Sequence, residues 1–119
     1  SKMEVIKLSD LALNLGMDIL FEIHEEKDLD KMIPEIKIIG INNRNLKTFE
    51  VSMDNSMDLF HHLPLNCIKV AESGFQTYND VKQLFIRGYD AFLIGEIFMR
   101  SNNPGMSAAR FIKDLKSGM

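Results

Sequence analysis

A single cysteine, Cys67, in 119 residues leaves no partner for an internal disulfide and fits a reducing compartment. There is no basic block and the formal net charge is −3, so nucleic acid is not an expected partner. No apolar run approaches the roughly 18 residues that a membrane span needs, and no secretory signal pattern opens the chain. Low-complexity tracts and linkers are missing as well. His24, His61 and His62 show no metal-ligand spacing with Cys67 or with a carboxylate pair, so no metal is expected. The remainder is an ordinary globular composition, 45% apolar and 26% charged, for which a cytoplasmic protein with no membrane partner is the expectation. Ser1 and Lys2 precede Met3, so both added residues and a piece of a longer chain stay open.

What is present is a repeated strand-and-helix pattern whose apolar runs end in polar groups. Glu4 to Leu15 places Val5, Leu8, Leu11, Ala12 and Leu15 at helical spacing, and Gly16 suits the left-handed residue that stops the helix. Asp18 to Ile23 reads as a buried strand. Glu25 to Met32 reads as a modest helix closed by Pro34. Lys37 to Ile41 is the second strand, a loop runs through Asn42 to Ser52, and Asp54 to His62 is the next helix. Cys67 to Ala71 is the third strand. Thr77 and Asp80 give a capping-box start to a helix that buries Val81, Leu84 and Phe85 and stops at Gly88. Asp90 to Ile94 is the fourth strand, and Asn103-Pro104 starts the last helix.

Short connections between continuous apolar strands predict parallel, right-handed α/β units. In (β/α)8 barrels the reacting groups sit at the carboxyl ends of such strands. A closed barrel usually needs roughly 250 residues, so the chain, residues 1–119, is expected to be half of one.

The candidate residues stand at those strand ends. Glu22 closes the first strand, where partial desolvation suits general acid–base work; a strand-end glutamate paired with a lysine accounts for it equally well. Asn42, Asn43, Arg44 and Asn45 follow the second strand and could hold a carboxylate or phosphate. Turn chemistry is favoured for Asn43 and Asn45, and a functional role for Asn42. Glu72-Ser73-Gly74 and Gly95-Glu96 follow the third and fourth strands, where glycine admits a close ligand and exposed amides favour an anion. His24 is read as a loop residue, although it could line a site. The methionines and phenylalanines are read as core.

Four strings together resemble the C-terminal half of indole-3-glycerol-phosphate synthase. They are Ala12 to Glu22, Gly40 to Glu50 (with Asn-Asn-Arg-Asn-Leu-Lys-Thr-Phe inside it), Val70 to Gly74, and Ala91 to Glu96 followed by Met99-Arg100. The resemblance implies strands five to eight of a barrel and a cofactor-free reaction of tryptophan biosynthesis. That reaction closes the indole ring of 1-(2-carboxyphenylamino)-1-deoxyribulose 5-phosphate with loss of carbon dioxide and water.

By the resemblance, Glu22 matches the catalytic glutamate, and Asn42 and Glu72 match active-site residues. Arg44 matches a position in the motif. Ser73, Gly74, Gly95 and Glu96 match phosphate-binding positions, mainly through backbone amides. Ile97 departs from the small residue expected there, so a hydroxyl donor is lost. The family's lysine on the third strand, and the lysine and glutamate of the first, have no counterpart. The chain alone is therefore expected to be inactive while keeping a residual phosphate site. A phosphoribosylanthranilate isomerase is a further reading, against which the Asn-Arg-Asn-Leu string argues.

Half a barrel also leaves two open sheet edges and an inner layer of Leu20, Ile38, Ile68 and Val70 around Glu22, Gly40, Asn42 and Glu72. Leaving about five such side chains in water forgoes roughly 7–15 kcal/mol. A homodimer or higher homo-oligomer of half-barrels is therefore expected, or else union with the missing N-terminal half.

Overall fold

The computed structural model describes residues 1–118. Helix α1 (Lys2–Asn14) starts on the Ser1 side chain, which accepts from the Glu4 amide at 3.3 Å. It ends as the sequence predicts: Gly16 takes φ +75°, its amide donates to the Leu13 carbonyl, and that of Met17 donates to Ala12. Strand β1 (Leu20–Ile23) follows, then a 3₁₀ segment (Glu26–Lys31). That segment is shorter and tighter than the helix expected over Glu25 to Met32. Its start is fixed by Asp28, whose carboxylate accepts from the His24 and Glu25 amides. Those bonds hold its carboxyl below the usual range against an opposing effect of burial.

Strand β2 (Ile38–Asn42) leads through the long loop to α2 (Asp54–Leu59), which tightens into a 3₁₀ turn at Phe60–His62. Then come β3 (Ile68–Glu72), α3 (Tyr78–Arg87), β4 (Ala91–Leu93), the short α4 (Glu96–Met99) and α5 (Pro104–Gly118). Thr77 and Asp80 do form the capping box that opens α3. No helix among the described residues is long and apolar enough to cross a membrane.

The four strands form one sheet in the order β1-β2-β3-β4, every pair parallel. This is the predicted α/β architecture, consistent with part of a (β/α)8 barrel. Alternation sends Ile23, Ile39, Ile41 and Ala71 toward the helices, where all four are fully buried. They pack with Leu59, Val81, Leu84 and Tyr89 into one core. Tyr89 anchors its hydroxyl by donating to the Ser56 carbonyl at 2.6 Å.

The opposite, open face carries rows set by register. Leu20, Ile38 and Ile68 form the lowest; Glu22, Gly40, Val70 and Ala91 the next; Asn42, Glu72 and Leu93 the uppermost.

Several burial expectations are corrected: β1, read as a buried strand, buries only Ile23, and Met3, Met17, Met99, Met106 and Phe49, read as core, are exposed. Phe85 is exposed, because α3 turns Val81 and Leu84 to the sheet and leaves Phe85 at the edge of that stripe. The apolar face of α1 is also largely in water, with Leu8, Leu11 and Leu15 exposed. Helical spacing reports that a face is apolar; it does not supply an element to cover it.

Candidate active site

The polar groups of the open face converge at the carboxyl ends of the strands. The Asn42 side chain is fixed at both ends: Nδ2 donates to Glu22 Oε1 at 2.7 Å, and Oδ1 accepts from the Arg44 amide at 2.8 Å. His24 brings Nε2 to 3.5 Å from the same Glu22 oxygen. Glu72, beside Asn42 in the register, directs its carboxyl toward Glu22. Glu22, Asn42 and Glu72, named from separate strands, thus form one contiguous group.

Desolvation was expected at Glu22, but its side chain is 38% exposed. Glu72 is the buried carboxyl, at 3% exposure, and its Oε2 meets no hydrogen-bond partner among the described residues. Burial, followed by the adjacent Glu22 carboxylate, pushes Glu72 up to about 7. The reason is topological. β1 is an edge strand with one neighbour, whereas β3 has strands on both sides.

A cleft of about 270 Å³ adjoins this group, lined by Ser73, Gly74, Gly95, Glu96, Ile97 and Arg100, among others. Ser73 and Gly74 both take left-handed backbone, φ 71° and 81°, turning the chain sharply out of β3. Gly74 is needed twice over, since a Cβ there would also overlap Val51 Cγ1 of the long loop.

Glu96 carries its carboxylate across the rim to Arg44, whose Nη2 lies 2.6 Å away. Arg44 also donates to the Phe49 carbonyl at 3.4 Å. The four anion-site candidates therefore share one cleft. Arg44 stands at its edge, paired with Glu96.

Asn43 and Asn45 behave as structural residues. Asn45 Oδ1 accepts from the Lys47 and Thr48 amides within its own turn. Asn43 is a buried clamp: Nδ2 donates to the Ser73 carbonyl at 3.2 Å, and Oδ1 accepts from Ser56 Oγ and the Ser56 amide.

Three positioning contributions were not read from the sequence. Asn55 Nδ2 donates to the His24 and Asn42 carbonyls, tying the ends of β1 and β2. Its place inside a helix gave no signal for this. Arg100 lines the cleft and donates to Gln76 Oε1 at 3.4 Å. Gly40, mid-strand, leaves room beneath Glu72.

Residues 1–113 match the family model described as indole-3-glycerol phosphate synthase. A protein of that name from Nautilia profundicola is 51% identical over 98 residues, covering 82% of this chain and 38% of its own length. The Polaromonas sp. protein is 45% identical over 104 residues, covering 87% and 39%. The Bordetella pertussis protein is 43% identical over 106 residues, covering 88% and 40%. The chain thus spans about two fifths of the length of the curated relatives it matches. Among solved structures, a chain of the Amycolatopsis orientalis BexX/CysO complex superposes with a TM-score of 0.68 at 14% identity, over 99% of this chain and 49% of that one. That likeness concerns the fold alone.

Proposed function

The chain belongs to the indole-3-glycerol phosphate synthase family, and from that premise we propose that it is the carboxyl-terminal part of such a synthase, a carboxy-lyase acting on a sugar phosphate that bears a carboxyphenylamino group. The observation that carries this is the meeting of Glu22, Asn42 and Glu72 at one sheet end, beside the cleft of Ser73, Gly74, Gly95 and Glu96. The carboxyl pair moves protons during ring closure and dehydration. Asn42 holds Glu22 in place. The cleft takes the phosphate through backbone amides, and Arg44 faces the substrate carboxylate once Glu96 yields it. No cofactor is needed for these steps.

Among the described residues no lysine stands in the open-face rows of the sheet, and ring closure needs, beyond the carboxyl pair, a further acid to protonate the departing oxygen. A lost general acid costs roughly 10²–10⁴-fold, and cooperating groups removed together leave little turnover. The chain alone is expected to form no product. Mixed with the segment of the Nautilia profundicola protein that it does not match, it is expected to form product in a discontinuous assay. Turnover by the chain alone at the rate of the mixture contradicts the fragment reading. Two folded parts that associate without turnover contradict the catalytic one.

A specific observation also supports self-association. On the open face Leu20, Ile68 and Leu93 remain 43%, 49% and 56% exposed, and the outer edges of β1 and β4 are unpaired among the described residues. Val70 is buried and Ile38 partly so, which leaves fewer side chains in water than expected from the sequence. Burying each such side chain fully is worth roughly 1.5–3 kcal/mol. Without the rest of the protein, a second copy is the occupant proposed here: two parallel half-barrels close on each other with no edge left. Sedimentation at micromolar concentration is expected to give dimers, and Ile68→Lys with Leu93→Lys to give monomers. A folded monomer of the unaltered chain at that concentration would discount this second reading.

A further inference from the structure

Gly40 has no conformational reason to be glycine. It sits inside β2, paired with Glu22 on one side and Val70 on the other, and its φ is not positive. Glycine in a strand interior weakens it, so such a residue marks a close approach by something else. Here the approach is visible. A Cβ at Gly40 would overlap Glu72 Oε2, lie 2.9 Å from Glu72 Cδ, and come within 3.2 Å of Leu20 Cδ1.

Glu72 leaves β3 one row higher, level with Asn42, so its side chain bends down across β2. Its carboxyl comes to rest over the bare backbone of Gly40, whose lateral neighbour is Glu22. Glu22 is held from the other direction by Asn42 Nδ2. Among the described residues the buried Oε2 of Glu72 has no donor of its own. Two carboxyls facing each other in this way cannot both ionise cheaply, and a proton between them supplies the missing donor.

We propose that Gly40 is a positioning residue: its missing side chain is what lets Glu22 and Glu72 meet and hold one proton in common. This deepens the reading of the site given above, and rests on it only where the shared proton is put to catalytic use. Among the described residues one other titratable group stands beside the pair at the strand ends. It is His24, just past the end of β1, with Nε2 3.5 Å from Glu22 Oε1; Asn42 and Gly40 of β2, Val70 of β3, and Ala91 and Leu93 of β4 do not titrate. At the rim, Arg44 and Glu96 neutralise each other. The direction of the Glu72 titration, raised by burial and then by Glu22, agrees with the pairing.

The test is a carboxyl-carbon NMR titration of the chain, of Gly40→Ala and of Glu22→Gln. This nucleus separates the pair from His24. One glutamate is expected to titrate near 7 in the unaltered chain. In both variants that titration is expected to fall by a pH unit or more toward the ordinary carboxylate range. In Gly40→Ala the new methyl expels the carboxyl; in Glu22→Gln the neighbouring charge is gone.

A titration left in place by Gly40→Ala overturns the role of Gly40, and one left in place by Glu22→Gln overturns the pairing. Should Gly40→Ala fail to fold, a Glu72→Ala background decides. The overlap is then removed, so Gly40→Ala is expected to fold there, and failure in that background too overturns the proposal. Activity enters none of these readouts. An inactive mixture with the expected titrations would therefore sink the synthase reading and leave the pairing intact.

Discussion

Glu22→Gln, introduced into the chain and assayed with the N-terminal segment of a relative, is expected to lower kcat by about 10²–10⁴-fold with KM near its starting value. Glutamine keeps the length and shape of the side chain, and its oxygen can still accept from Asn42 Nδ2, so the local geometry survives. What disappears is the ability to take and return a proton. Glu22 does not line the cleft of Ser73, Gly74, Gly95 and Glu96, so phosphate binding is expected to be unchanged. Competition by inorganic phosphate supplies that control. A loss below tenfold would remove Glu22 from the proton-transfer role.

Glu72→Gln is expected to act in the opposite sense on stability, making the folded chain more stable at pH 8 by roughly 3 kcal/mol. The carboxyl is raised from 4.5 to about 7 on folding, so the folded chain holds the proton more tightly than the unfolded one. The stability associated with this group is complete below about pH 4.5, declines as pH rises from 4.5 to 7, and is gone above that window. A difference of about two and a half pH units corresponds to roughly 3 kcal/mol. Glutamine stays neutral throughout and escapes the cost.

Denaturant unfolding of both chains at one protein concentration checks this, since association would shift the midpoint. The advantage of the variant should be small at pH 5 and near its full value at pH 8. An advantage that is constant with pH, or reversed, would mean that Glu72 is not a buried acid. In the mixture the same change is expected to lower activity, so the site holds a group that the fold alone would do better without.

The residues that could be read from the sequence are those whose signal is local. Apolar runs ending abruptly in Glu22, Asn42 and Glu72 marked the strand ends, and parallel register then brought the three together. Thr77 and Asp80 are three residues apart, and the cap they form needs nothing more distant.

What could not be read depends on partners far along the chain. Asn43 resembles a turn residue until Ser56 and Ser73 are seen to hold it. Gly40 resembles a weakness in its strand until the side chain of Glu72 is found above it. Desolvation was assigned to Glu22 because an apolar run precedes it, yet exposure follows from β1 lying at the sheet edge. The spacing in α1 was right for a helix, and its exposed leucines belong to a surface that no described element covers.

The alternation of side chains along the strands has an evolutionary corollary. Leu20, Glu22 and His24, with Ile38, Gly40 and Asn42, and Ile68, Val70 and Glu72, share one parity; Ile23, Ile39, Ile41 and Ala71 have the other. Inserting or deleting a single codon within any of these stretches would exchange the two sets, driving a carboxylate into the oily side and an isoleucine onto the open face. Lineages carrying this protein are thus expected to change in length where the chain loops out, as between Asn45 and Ser52. Inside the strands they are confined to substitution, one letter at a time.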